Sequence, residues 1–118
     1  MSQEEEQQPR GVFNPHVVDL ISFDATRNEV VLLMLEERPW DTDPEQLRQL
    51  EAKFNSYLEY VLGGHLAQQY PDYAGKDVCF RLDAADAPRG EAEGMLRAMQ
   101  NFAEGENIRF IVQRIEPT

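Results

Sequence analysis

Four stretches of this chain carry apolar residues at strand spacing, and two carry them at helical spacing. "HVVDLISFD" (His16 to Asp24) is β-rich, "ATRN" is turn-like, and "EVVLLMLEE" (Glu29 to Glu37) is a second, more apolar run. Two such runs across a short polar loop predict a β-hairpin. Pro39 stops the second run. Asp43 then suits a helix N-cap, Pro44 the first helical position, and Gln46 completes a capping-box pattern. Leu47, Leu50, Phe54, Tyr57, Leu58, Val61 and Leu62 follow at helical period as one stripe. Gly63-Gly64 ends the helix. A short helical turn is expected at His65 to Gln69, before the loop "YPDYAGK".

"DVCFRLD" (Asp77 to Asp83) alternates cleanly, with Val78, Phe80 and Leu82 opposed to Cys79 and Arg81. A second helix follows "AADAPRG", with Ala92, Met95, Leu96, Met99, Phe102 and Ala103 on one face and Gly105 at its end. "NIRFIVQRIE" is the last strand, setting Ile108, Phe110 and Val112 against Arg109, Ile111 and Gln113.

The predicted order is β-β-α-β-α-β, a fold of the α/β (α+β) class. Crossovers between parallel strands are right-handed. Two crossovers in the same direction put both helices on one face of a four-stranded mixed sheet, giving a two-layer sandwich. A last strand that turned back beside the second would instead place the helices on opposite faces. In the two-layer version the helix-free face holds half of an apolar second strand, joined by Ile111, Ile115 and either Leu20 or Ile21. Monomers seldom leave a large apolar patch in water. Either the Val12-Phe13 segment folds over that face or two copies pair there, and a homodimer is the expectation.

Composition narrows the partners. The 118 residues include 11 basic and 22 acidic ones, a formal charge of −11. Such a balance disfavours non-specific nucleic-acid binding and anionic membranes. It leaves open a basic protein or peptide partner and nucleic-acid mimicry, beside the simpler reading that the charge keeps the protein soluble. No apolar run approaches the roughly 18 residues that a membrane span needs. Cys79 is the single cysteine, which fits a reducing cytoplasm. The segment 1–11, "MSQEEEQQPRG", is expected to be a disordered acidic tail preceding a single domain over 12–118.

Candidate chemistry is sparse. Asp41-Thr42-Asp43 resembles a metal-binding DxD, but two carboxylates on one loop fall short of a divalent site. Their simpler role is at the start of the helix, with Asp43 as cap and Asp41 near the positive helix end. A cationic peptide or amine suits Trp40 with Glu36, Glu37 and Asp41 better than a metal does. His16 and His65 have no partner at zinc spacing. Cys79 has no nearby histidine, and no phosphate-cradling glycine loop or nucleophile elbow exists. No cofactor or metal is therefore expected, and no catalytic residue is assigned. Asp19, Arg81 and Arg109 form the one polar set of interest, expected to project together from the helix-free sheet face as structural pairs or a small-anion site.

The stretch from Val17 to Leu82 resembles a family of small bacterial proteins of unknown function. The residues that carry the likeness are Asp19, Trp40, the run Lys53-Phe54-Asn55-Ser56-Tyr57-Leu58, and Tyr70-Pro71. The likeness extends over about residues 16 to 115. It implies a compact α/β domain in a bacterial cytoplasm and supplies no activity. The long acidic N-terminal segment departs from the family pattern.

Two functions follow as expectations. The first is a small acidic, non-enzymatic protein-interaction module, homodimeric through its sheet face. The alternative is a small-molecule-binding or enzymatic domain with an aromatic pocket formed by Trp40, Tyr57, His65 and Tyr70, and Glu36 or Asp41 as its polar group.

Overall fold

Strands β1 (Leu20–Asp24) and β2 (Glu29–Glu36) form the expected antiparallel hairpin in a computed structural model that describes residues 9–40 and 43–115. Asn28 closes the turn at φ 54°, a left-handed conformation that asparagine tolerates better than most residues. Helix α1 (Pro44–Leu62) leads through the short α2 (His65–Gln69) and a 3-10 turn (Pro71–Tyr73) to β3 (Asp77–Ala84). Helix α3 (Glu91–Gly105) then returns the chain to β4 (Ile108–Arg114). The sheet order is β1-β2-β3-β4, with β2, β3 and β4 parallel. Both crossovers move in the same direction, so α1 and α3 share one face, as the two-layer reading expects.

The pleat sorts each strand between two environments. Val30, Leu32 and Met34 of β2, Val78, Phe80 and Leu82 of β3, and Ile108 and Phe110 of β4 meet Leu50, Phe54, Tyr57, Leu96 and Met99 in one buried cluster. Aromatic edges organise its centre, with Phe80 T-shaped against both Phe54 and Tyr57. Trp40, buried just before α1, completes the cluster at one end.

Helix α1 starts as its pattern requires. Asp43 is the N-cap, its carboxylate accepting from the Glu45 N–H at 3.0 Å. Gln46 is buried and its side chain donates to Pro39 O at 3.2 Å, fastening the incoming loop. Helix α3 has no such side chain at its cap position, which Gly90 occupies at φ 63° and ψ −133°. That conformation is open essentially to glycine alone.

Two expectations about the edges of the fold change. The first strand begins at Leu20 rather than His16, because residues 11–19 form a strap held by side chains instead of a ladder. Val12 N donates to Leu35 O at 2.8 Å, and the Val12 side chain sinks into the helix-side core. The strap therefore does not cover the open sheet face. Of the expected tail, residues 1–8 lie outside the described residues, while Gly11 is already buried and hydrogen-bonded.

The second change concerns the open face. Val31 and Leu33 are only 8% and 7% exposed there, and Cys79 is 1% exposed. Leu20, on the edge strand, is the large apolar side chain left substantially in water on that face. The large bare patch expected from sequence is thus absent, and the reason is electrostatic as well as steric. Arg81 lies along β3 with two nitrogens on Asp83, at 2.9 and 3.1 Å. Arg109 crosses from β4 to Glu29 of β2, passing over β3.

Candidate functional site

The polar centre of the molecule joins residues far apart in sequence. Lys53 falls on the apolar stripe of α1 and is fully buried. Its Nζ donates to Asn14 O at 2.6 Å, Val17 O at 2.7 Å and Asp19 Oδ1 at 2.8 Å. An ammonium group has three hydrogens to give, and all three are placed. Asp19 is 1% exposed. Its Oδ1 also accepts from Gly11 N and its Oδ2 from Leu35 N, each at 2.9 Å. The Tyr57 hydroxyl donates to Leu33 O at 2.6 Å and accepts from Asp19 N at 2.9 Å. One side chain of α1 thus grips the strap, and one turn later another grips the β-hairpin.

Burial governs the protonation of this cluster. It pushes the Lys53 ammonium below its usual value, against the pull of the Asp19 carboxylate. Burial also pushes the Tyr57 hydroxyl far above its ordinary range. Both residues are satisfied and enclosed, and no buried side-chain nitrogen or oxygen among the described residues lacks a partner. A catalytic lysine needs a lone pair and access to substrate. Lys53 has neither in this arrangement, and its geometry is that of a clamp.

Asp19 therefore parts from Arg81 and Arg109. It precedes β1 and turns toward α1, while the two arginines stand on the open face with Asp83 and Glu29 as partners. The expected polar set is divided by the sheet itself.

The residues expected to line an aromatic pocket are also separated. Trp40 precedes α1 and His65 follows it, and a 19-residue helix is about 28 Å long at ~1.5 Å per residue. Trp40 is buried and its Nε1 donates to Asp86 O at 2.9 Å, tying the loop before α1 to the loop after β3. Glu36 is buried beneath Arg38, which donates to it at 2.8 and 2.7 Å and reaches Gln49 with its third nitrogen at 2.8 Å. Its charge is thus committed within the fold. Glu37 is exposed nearby, and Asp41 lies outside the described residues. Tyr57 is interior. His65 is exposed and stacks on Tyr60, whereas Tyr70 stacks on Tyr73, which stacks on Phe23. No single pocket can gather these groups.

Two surface features remain. A polar depression of about 770 Å³ lies at the β2-β3-β4 end where the parallel strands begin. Arg27 and Arg109 both approach Glu29 there, with Asp77 and Glu104 on the walls. The Arg109 guanidinium holds the Glu29 carboxyl below its usual range. Acidic groups outnumber the two arginines, so an anion finds little net attraction. Cys79 lies close to this pair, and burial raises its thiol pKa, which keeps it from acting as a nucleophile.

The second feature is apolar. A groove of about 350 Å³ runs between α1 and α3, with Phe54 and Leu58 on one wall, Met95, Met99 and Phe102 on the other, and Glu51 at its border. Phe102 is 55% exposed while its ring still meets Phe54 edge-on, with centroids 6.4 Å apart. Leu62, one turn beyond Leu58, is 52% exposed. Sequence periodicity assigned Phe102 and Leu62 to the core, since a helical stripe does not reveal where it overshoots the sheet. In sequence, Lys53 is named only within the family-like run, with no role, and Glu29 is assigned none. The signal for Lys53 was its position between Leu50 and Tyr57 on the apolar stripe. Glu29 carried none, because its partner depends on strand order.

Comparison with known proteins adds a family and no activity. No curated protein and no solved structure matches the chain. Residues 11–116 match the model of a family described as "Family of unknown function (DUF6572)". With nearly the whole domain covered, from the buried Gly11 to the end of β4, the chain belongs to that family of unknown function.

Proposed function

We propose that this chain is a non-enzymatic protein-interaction module whose docking surface is the groove between α1 and α3. The observation that carries this reading is Phe102, a large aromatic side chain more than half exposed beside a floor of Phe54, Leu58 and Met99. Phe54, Leu58 and Met99 are themselves buried, so the apolar surface offered to a partner is Phe102 with part of Met95 and, one turn past Leu58, Leu62. Large apolar side chains left in water beside a groove mark a place where another surface can dock. Met95, half-buried at the edge of the groove, can adapt to the shape of what docks. The titratable interior supports a binding role over a catalytic one. Lys53 is saturated, burial raises the Cys79 thiol pKa, and His16 and His65 are exposed with no hydrogen-bonded carboxylate among the described residues. A reducing compartment fits the single buried Cys79.

Self-association through the open sheet face has less behind it. That face offers Leu20 and part of Ile111, while Val31, Leu33 and Cys79 are already covered. An obligate dimer interface is more apolar than this.

Photo-cross-linking in the source cell tests the reading. A benzophenone amino acid placed at Phe102 is expected to give a discrete cross-linked species that Met95→Glu, at the half-buried edge of the groove, abolishes. The same probe at Phe23, an exposed aromatic on β1, is expected to give none. The captured protein is then purified and its complex rebuilt from isolated components. A cross-linking pattern identical at the two positions overturns the assignment.

A further inference from the structure

The charge around the groove identifies the class of partner. Helices α1 and α3 both return from the end of one strand to the start of the next parallel strand, so they run side by side in the same direction. The groove between them spans about two turns of each helix, from Glu51 to Leu58 on α1 and from Met95 to Phe102 on α3. These two helices carry six exposed glutamates, Glu45, Glu51, Glu59, Glu91, Glu93 and Glu104, of which Glu93 and Glu104 border other depressions, and two exposed arginines. One of the two, Arg48, is bound to Glu45 at 2.7 Å. Glu51 stands at the groove itself, and Glu91 lies one turn before Met95 on the same side of α3.

Resting on the groove being a docking site, we propose that its occupant is a cationic amphipathic helix. Such a helix lays apolar residues spaced at i, i+3, i+4 and i+7 against Phe102 and Met95, over the floor that buried Phe54, Leu58 and Met99 form. Its lysines or arginines flank that stripe and face Glu51, Glu59 and Glu91. A second copy of this chain is the wrong occupant on electrostatic grounds. It would bring the same glutamates together on a molecule of charge −11, and like charges across an interface oppose association. A neutral apolar segment would leave the acidic border without a counterpart.

Three synthetic helices test this, each of about 18 residues, long enough to hold helical structure. All share one leucine stripe, and their polar faces are lysine, glutamine or glutamate. Binding to the full chain is read by isothermal titration calorimetry and by the methyl resonances of Met95 and Met99. The lysine helix is expected to bind and shift both methyls. Phe102→Ser is expected to weaken it at least roughly tenfold, and Glu51→Gln to weaken it with a reduced salt dependence. Asp72→Asn, the same charge change in the exposed turn after α2, is expected to leave binding unaltered.

Equal binding of the lysine and glutamine helices overturns the cationic assignment while leaving the groove as a docking site. Failure of all three helices at the methionine methyls overturns the groove reading as well. Lysine-helix binding that Phe102→Ser leaves intact means that net charge alone attracts the peptide, and this also overturns the proposal. A doubled mass in the absence of peptide, abolished by Phe102→Ser, assigns the groove to a second copy instead.

Discussion

Arg109 reaches across a whole strand to place Nε and Nη2 on the carboxylate of Glu29, at 3.0 and 2.8 Å. The two residues stand on β4 and β2, with β3 between them. Their bridge roofs the neighbourhood of Cys79 and turns what patterning describes as an open apolar face into a polar one. Glu29 is almost wholly buried, whereas Arg109 keeps contact with water. The pair therefore gains from bidentate geometry while avoiding full desolvation of the cation.

Acid stability should depend on this bridge. The Arg109 hydrogen bonds lower the Glu29 pKa below its ordinary 4.5. A depressed folded-state value adds stability above the unfolded pKa and loses it as pH falls through the folded one. Denaturant titrations of Glu29→Gln should therefore show a shallower loss of stability below about pH 4.5 than the parent chain. Parallel curves would show that the bridge contributes nothing there.

The clamp at Lys53 should respond asymmetrically to single and double substitution. Asp19→Ala leaves a buried ammonium with two carbonyl partners and no counter-charge, expected to cost about 3–5 kcal/mol. The double variant Asp19→Leu with Lys53→Met removes both charges and should recover much of that loss. Chemical denaturation measures both, and a double variant worse than the sum of the singles would contradict the clamp.

Tyr57→Phe deletes one hydroxyl that serves two backbone groups, Leu33 O and Asp19 N. Leaving buried backbone groups unpaired costs about 1–3 kcal/mol each. The alkaline limb should also change. A tyrosine whose pKa is raised on folding contributes stability fully present below its unfolded value near 10, and this is lost as pH rises further. Lys53 works in the opposite sense just below its usual 10.5, since its folded value is depressed. Comparing Tyr57→Phe with the parent above about pH 10 isolates the tyrosine, and the variant should lose stability less steeply.

Asp43→Ala removes the N-cap acceptor of α1 and should destabilise by about 1 kcal/mol. Binding at the α1/α3 groove, which begins two turns later, should be unaffected. A calorimetric scan and a titration with the lysine helix report the two effects separately.

Leu33→Glu separates the open face from an interface. Leu33 is 7% exposed in the single chain, so the substitution buries an unpaired carboxylate and should unfold or strongly destabilise the domain. Leu20→Glu, at an already exposed position, should leave both the fold and the sedimenting mass unchanged. A mass halved by Leu20→Glu would restore the sheet face as a dimer contact.

Much of this architecture follows from local rules. The alternation around Phe80, the stripe from Leu50 to Leu62, the Asp43-Pro44 start and the Gly63-Gly64 stop each specify an element through contacts between near neighbours. With right-handed crossovers they also lead to the two-layer form. Local rules end where partners are remote. Asp19 and Lys53 are 34 residues apart, and Glu29 and Arg109 are 80 residues apart. No period in the sequence joins either pair. The first strand shortened to Leu20 because the Lys53 ammonium captured the carbonyls of Asn14 and Val17, which periodicity could not register. Trp40 and His65 seemed able to share a pocket until the length of α1 stood between them. Sequence alone determined which faces are apolar, because burial of those faces drives folding. Only the tertiary structure decided which apolar surface stays in water, because that depends on where the charged side chains of distant strands come to rest.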